Sequence, residues 1–360
     1  VTGTVCIAGS GKIARDAGMY LFSRGRTVCW VSGDADRLAL LHADLGRKIR
    51  RLARFENGAE TESRASFALY DGLGNASFDA VIECGRESPG AKRDALDRLA
   101  GHCAPGAFLF STSSSILPSS LRGGCLGLHV FFPLELTAIA ELVVPQDAPV
   151  SMRERAVAFC KDLGIAPIVQ GEANAFAVNR VLLPLQNEAF SALARGVSYD
   201  DADAATVSPL CGVGMCALAR GVGPAVVAAS VENYRSRMIP EESALYGPLS
   251  SGLSDFEASC ERWKAAPKLD AGERGKMSKK LYYLFINTCL RFVERGYISR
   301  ADLDVALGSA FGATTGLAQA IAREGGERIA SLLGEMRRKG APDYFEPCPA
   351  LTSSAGDTRK

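Results

Sequence analysis

Thr4-Val5-Cys6-Ile7-Ala8-Gly9-Ser10-Gly11-Lys12-Ile13-Ala14 carries three signals in succession. Thr4 to Ala8 is an apolar run of strand length. Gly9-Ser10-Gly11-Lys12-Ile13-Ala14 is a GxGxxA turn, and a helical period follows through Ala17, Tyr20, Leu21 and Arg24 to Gly25. A second strand is expected at Thr27 to Val31. A glycine pattern of this kind between a strand and a helix is the fingerprint of dinucleotide binding. Gly9 permits the tight turn, Gly11 lets a pyrophosphate approach the backbone, and Ala14 lets helix and strand pack closely. The helix N-terminus then turns its partial positive charge to the phosphates. Lys12 and Ile13, at the helix start, are counted with the cofactor-binding residues.

At the end of the second strand, an acidic residue would hold the ribose 2′-hydroxyl of NAD, but the chain has Ser32-Gly33-Asp34. Two readings stay open. Asp34 reaches back from the loop to NAD, or Ser32 with Arg37 or Arg26 accepts the 2′-phosphate of NADP. The expected cofactor is therefore NAD or NADP, with NAD ahead.

Composition narrows the partners. Of 360 residues, 47% are hydrophobic and 22% charged, the balance of a folded protein of two or three domains. With 41 basic residues against 40 acidic ones, no bulk charge favours a nucleic acid or a membrane surface. The eleven cysteines are scattered without a CxxC pair or a histidine at zinc spacing, so they read as reduced thiols, with no metal. No apolar stretch has membrane-spanning length and no leader pattern is seen, so the expected location is cytoplasmic.

Further along, Ala35 onward turns helical, and residues 36–56 bear Arg37, Arg47, Lys48, Arg50, Arg51 and Arg54. That run is either a solvated helix face or a cradle for the phosphates of a coenzyme A or carrier-protein arm. Phe78 to Glu83 makes a buried strand, with Glu87 in the next loop and Lys92 on the next helix. Ala107 to Phe110 makes the fifth strand and runs into Ser111-Thr112-Ser113-Ser114-Ser115. In a doubly wound sheet these hydroxyls and Glu87 gather at one crevice. Leu128-His129-Val130-Phe131-Phe132-Pro133 is followed by Glu141 in Ala140-Glu141-Leu142-Val143-Val144. A histidine ending one strand and a glutamate in the next meet across a strand-turn-strand, and a carboxylate on imidazole makes a general base.

Taken in order, GxGxxA, Val81-Ile82-Glu83 with Glu87 and Lys92, Ser111 to Ser115, Gly127 to Pro133, Ala140 to Val144, and Ala177-Val178-Asn179-Arg180 resemble the 3-hydroxyacyl-CoA dehydrogenases over nearly the whole chain. The resemblance implies that His129 is the catalytic base and Glu141 its carboxylate partner. It also implies that Ser114 and Asn179 hold the reacting oxygen, and that Glu87 and Lys92 lie near the nicotinamide end of the cofactor. The chain departs from the family pattern at Thr112, Phe132 and Ala138, where asparagine, asparagine and lysine are usual. It departs again at Cys211 to Ala217. These departures bear on the substrate more than on the chemistry.

From Asn174 the pattern is helical, and about a hundred residues then repeat. Asn187 matches Asn287, Arg195-Gly196 matches Arg295-Gly296, and Asp203 matches Asp304. Lys279 stands where the first copy has Asn179. The expected fold is thus an α/β Rossmann-type doubly wound sheet (1–172) followed by an all-α, internally duplicated region. Its copies are expected at 173–270 and 271–351, before a disordered tail at 352–360. The segment from Pro240 to Lys276 reads as a connection between copies or a substrate-facing loop. In the resembled family two such helical domains pack across a dimer or within one chain. This chain fits the second case, and a homodimer stays open.

The expected reaction is hydride transfer at C3 of a 3-hydroxyacyl or 3-oxoacyl-CoA, as in fatty acid metabolism. Two alternatives stand beside it. One is the same chemistry on an acyl group carried by acyl-carrier protein, such as a glyceryl-type unit in polyketide-like biosynthesis. The other is a cofactor-binding scaffold without catalysis.

Overall fold

The computed structural model describes residues 3–235 and 256–352. The Pro240 to Lys276 segment is outside the described residues as far as residue 255, and so is the expected tail beyond Thr352. The chain divides into two compact units, Val1–Ala175 and Phe176–Lys360. The division falls after Ala175 rather than after residue 172. The short 3-10 turn Glu172–Asn174 stays with the sheet unit, where Glu172 Oε1 accepts the Ser119 amide at 2.8 Å.

The first unit is an eight-stranded sheet: β1 (Thr4–Ala8), β2 (Thr27–Ser32), β3 (Ala65–Leu69), β4 (Phe78–Glu83), β5 (Cys103–Ser111), β6 (Cys125–Val130), β7 (Ile139–Val144) and β8 (Ala166–Gly171). Their order is β3-β2-β1-β4-β5-β6-β7-β8. Every neighbouring pair is parallel except β6 and β7. Helices α1 (Lys12–Ser23), α2 (Ala35–Ala53), α3 (Ala59–Ser63), α4 (Pro89–Ala100), α5 (Leu134–Thr137) and α6 (Val150–Asp162) connect the strands. The order reverses between β1 and β4, and a crevice opens outside the carboxyl ends of strands at such a switch point. β6 and β7 are buried at every position, as expected of strands covered on both faces. One core cluster joins Val5, Ile7, Trp30, Ile82, Phe110, Leu128 and Leu142. Each aliphatic or Phe side chain in it stabilises the fold by roughly 1.5–3 kcal/mol. Trp30 donates its indole N–H to the Ala14 carbonyl at 3.1 Å. A Cβ at Gly18 would stand 2.3 Å from that indole, so this helix face must be bare.

The helical unit repeats its own local geometry. Ser198 caps the helix Tyr199–Ala204 by accepting the Asp201 amide, and Ser299 caps Arg300–Phe311 by accepting the Asp302 amide. Asp203 accepts the Cys216 and Ala217 amides, and Asp304 accepts that of Leu317. The two segments that follow these aspartates bond to each other: the Gly212 amide donates to the Phe311 carbonyl at 2.7 Å and the Thr314 amide to the Pro209 carbonyl at 2.8 Å. These bonds tie the two copies to each other within the helical unit.

Candidate active site

The glycine turn leaves β1 with Gly9 at φ +143°, and a Cβ there would lie 2.8 Å from the Cys84 carbonyl oxygen. Backbone conformation and close approach both demand glycine. Gly11 differs: a Cβ there would meet nothing within 4 Å. The protein's own packing does not require that glycine, and the space lies before helix α1, which has no side-chain cap on its N-terminus. Open space before uncapped backbone N–H groups fits a dinucleotide pyrophosphate. Lys12 opens the helix with its ammonium 3.8 Å from the centre of the Phe132 ring. Ile13 is packed partly against the core.

Ser32 is the last residue of β2, and its hydroxyl accepts the Asp34 amide at 3.1 Å. Asp34 is the N-cap of α2: its carboxylate accepts the Arg37 amide at 3.0 Å and lies 3.4 Å from the Arg37 guanidinium. Arg26 pairs with Asp162 at 2.8 Å. On α2, Asp44 draws Arg47 and Lys48 on its own helix and Arg15 on α1. The remaining arginines face away from the buried stripe of Leu41, Leu45, Ile49 and Ala53.

Two acids organise the ends of β4 and β5. Glu83, 1% exposed, accepts from Lys92 Nζ at 2.9 Å, Ser111 Oγ at 2.8 Å and the Gly85 amide at 2.6 Å. Glu87 Oε1 accepts from Ser113 Oγ at 2.5 Å, Ser115 Oγ at 2.9 Å and the Ser114 amide at 3.1 Å. The serine run is therefore wrapped around Glu87 rather than left as an open loop. Lys92 is buried and lies 3.6 Å from Glu87 as well. Burial works against its charge, but the Glu83 and Glu87 carboxylates outweigh that cost and hold its pKa above the ordinary lysine value. Among the described contacts Lys92 is a strut within the β4–β5 corner. Glu83 and Ser111 both lie in motifs read from the sequence, but their bond to each other and the Glu83–Lys92 pair were not foreseen, although a carboxylate at the end of a buried strand requires such partners.

His129 and Glu141 are directly opposed in the antiparallel β6–β7 ladder. His129 Nδ1 lies 2.7 Å from Glu141 Oε2, with Glu141 fully buried and His129 nearly so. The Phe131 ring packs edge-on against the imidazole at 4.7 Å between centroids. With Nδ1 on the carboxylate, proton exchange with a ligand would run through the other ring nitrogen, Nε2. Gln170 of β8, unforeseen in the sequence, donates its amide Nε2 to Glu141 Oε1 at 2.9 Å. The only hint was one polar residue in an apolar strand. Asn179 belongs to the helical unit, in the short helix Ala177–Arg180.

A doubly wound sheet with a GxGxxA turn at its switch point is the architecture of a dinucleotide-binding domain, and the buried histidine–carboxylate pair on its adjacent strands is chemically able to exchange a proton. Residues 4–173 match the model of the 3-hydroxyacyl-CoA dehydrogenase NAD binding domain. Over this stretch, a little under half of its length, the chain is similar to the 3-hydroxyacyl-CoA dehydrogenases. Solved structures share the fold. 3-Hydroxybutyryl-CoA dehydrogenase from Escherichia coli K12 superposes with a TM-score of 0.77 at 17% identity, covering 98% of each chain. The (S)-3-hydroxybutyryl-CoA dehydrogenase of Ralstonia eutropha gives 0.59 at 24% identity over 71% of this chain and 94% of its own. The dehydrogenase part of multifunctional enzyme 1 from C. elegans gives 0.56 at 16% identity over 98% of this chain and 89% of its own.

Proposed function

We propose that this protein interconverts a 3-hydroxyacyl and a 3-oxoacyl thioester, with His129 as the base and acid. The observation that carries the reading is the buried 2.7 Å contact between His129 Nδ1 and Glu141 Oε2, in a unit matching the NAD binding domain of this family. Gly9, Gly11, Lys12 and Ile13 would hold the dinucleotide phosphates, and NAD is favoured over NADP because Asp34 and Arg37 satisfy each other at the end of β2. When bound, the nicotinamide supplies the hydride acceptor or donor. In the oxidative direction His129 Nε2 takes the C3 hydroxyl proton, and Glu141 stabilises the imidazolium that forms. Ser114 would hydrogen-bond the oxygen whose charge changes, a positioning and electrostatic task. In reduction the proton returns from His129. The eleven unpaired cysteines support a reducing, cytoplasmic compartment.

The test is loss of nicotinamide absorbance with acetoacetyl-CoA, run with NADH and NADPH beside His129→Gln. Loss that the variant abolishes supports the reading. Cofactor binding without turnover redirects it to the acyl-carrier-protein thioester, assayed next. No cofactor binding at all overturns it.

A further inference from the structure

We propose that Gln170 is a positioning residue for the His129–Glu141 pair. Its side-chain amide keeps the Glu141 carboxylate turned so that Oε2 faces the imidazole. The inference rests on reading that pair as the proton-transferring group.

β7 lies between β6 and β8, so Glu141 is reached from both sides. From β6, His129 occupies Oε2 at 2.7 Å; from β8, Gln170 occupies Oε1 at 2.9 Å. The β7–β8 register sets Glu141 opposite Ile168, and Gln170, two residues further on, shares the face of Ile168. Gln170 is 5% exposed and Glu141 is fully buried, so neither group exchanges this bond for bulk water.

The orientation of the amide follows from charge. Turned over, it would set its oxygen against a carboxylate oxygen, two acceptors without a proton between them. With the N–H toward Glu141 the contact has one donor and one acceptor. The other end of the side chain shows what this arrangement costs: Gln170 Oε1 is buried and has no hydrogen-bond partner among the described residues. A valine or leucine would suit a strand at this depth but would take away the donor that Glu141 Oε1 receives. The buried amide is a net liability to packing, and the bond to Glu141 is the one thing that only the amide provides.

With both oxygens occupied, the carboxylate cannot swing away from Nδ1. The imidazole is held with its Nδ1–H on Glu141.

The experiment is Gln170→Met, which keeps the length and removes the donor, with Gln170→Val in its place if the methionine variant does not fold. Circular dichroism confirms folding. The chain has three histidines, so the Nδ1–H resonance of His129 is identified in the proton–nitrogen spectrum by its loss in His129→Gln. We expect that resonance to move by about half a ppm or more in the variant, because an acceptor relieved of one donor binds the other more tightly. We expect kcat to fall about tenfold while KM for thioester and cofactor stays within about twofold. An unmoved resonance in the folded variant overturns the proposal whatever the activity does, and a moved resonance with unchanged kcat overturns the catalytic role. The spectrum needs no substrate. If the wild type turns over no thioester, the functional reading fails while the resonance still decides whether Gln170 positions the pair.

Discussion

The ammonium of Lys12 sits 3.8 Å above the ring of Phe132. The first residue of helix α1 is thereby tied to the loop that follows His129, and Phe132 is 45% exposed. A cation–π contact at such a site contributes about 0.5–1 kcal/mol. It steadies a positive charge beside the dinucleotide turn.

That charge has a measurable consequence. Lys12→Met should weaken binding of the dinucleotide about three- to tenfold at low salt, with the difference narrowing at high ionic strength, since charge attraction is screened. Phe132→Leu, which frees the ammonium, should act in the same direction and more weakly. Fluorescence titration with NADH at two salt concentrations checks both, and equal affinities at low salt would remove Lys12 from the phosphate site.

His129→Gln should lower kcat by at least about a thousandfold and Glu141→Gln by about a hundredfold, within the range that general acid–base groups contribute. Dinucleotide affinity should stay within about twofold in both, because neither side chain belongs to the glycine turn. Steady-state kinetics paired with binding titrations separates the two effects.

Lys92→Met should cost about 3–5 kcal/mol of stability, because it leaves Glu83 buried beside Ser111 with its cation removed. The pH dependence has a defined sign. The pKa of Lys92 is raised on folding by Glu83 and Glu87 against burial, so its contribution is fully present below the ordinary value of 10.5 and is lost as pH rises through the higher folded value. Urea unfolding of wild type and variant at neutral pH should show the full difference, and the gap should shrink only above that alkaline point.

The thiols should be poor nucleophiles. Burial pushes Cys84, Cys125 and Cys160 up to about 12 and Cys211 to about 11. Of the eleven cysteines only Cys103 and Cys260 are half-exposed. Ellman's reagent at pH 8 should find no more than two fast-reacting thiols in the native protein and eleven in denaturant. A third fast thiol would show that a buried cysteine is more accessible than its packing implies.

Much of the sheet was legible because its strands are apolar runs punctuated by glycine. The chain passes from β1 through Gly9 and Gly11 into α1, and local sterics dictate that geometry. β3 escaped notice. It is an edge strand with no fully buried residue, so Ala65 to Leu69 lacks the continuous apolar signal of the inner strands. The Ser-capped helices at Tyr199 and Arg300 lay within the repeat because a cap is written in three or four adjacent residues.

The sequence by itself determined what depends on neighbours along the chain: the dinucleotide turn, the alternation of strand and helix, the repeat, and the pairing of His129 with Glu141, which a single antiparallel hairpin brings together. The tertiary structure alone decided what depends on strands distant in sequence. β8 carries Gln170 to Glu141, 29 residues away along the chain, and β5 carries Ser111 to Glu83, 28 residues away. It also decided that the Ser113 to Ser115 run closes around Glu87 and that Lys92 is a buried strut. The physical reason is that a buried polar group must find its partner wherever packing places one, and residue spacing carries no record of which strand will lie alongside.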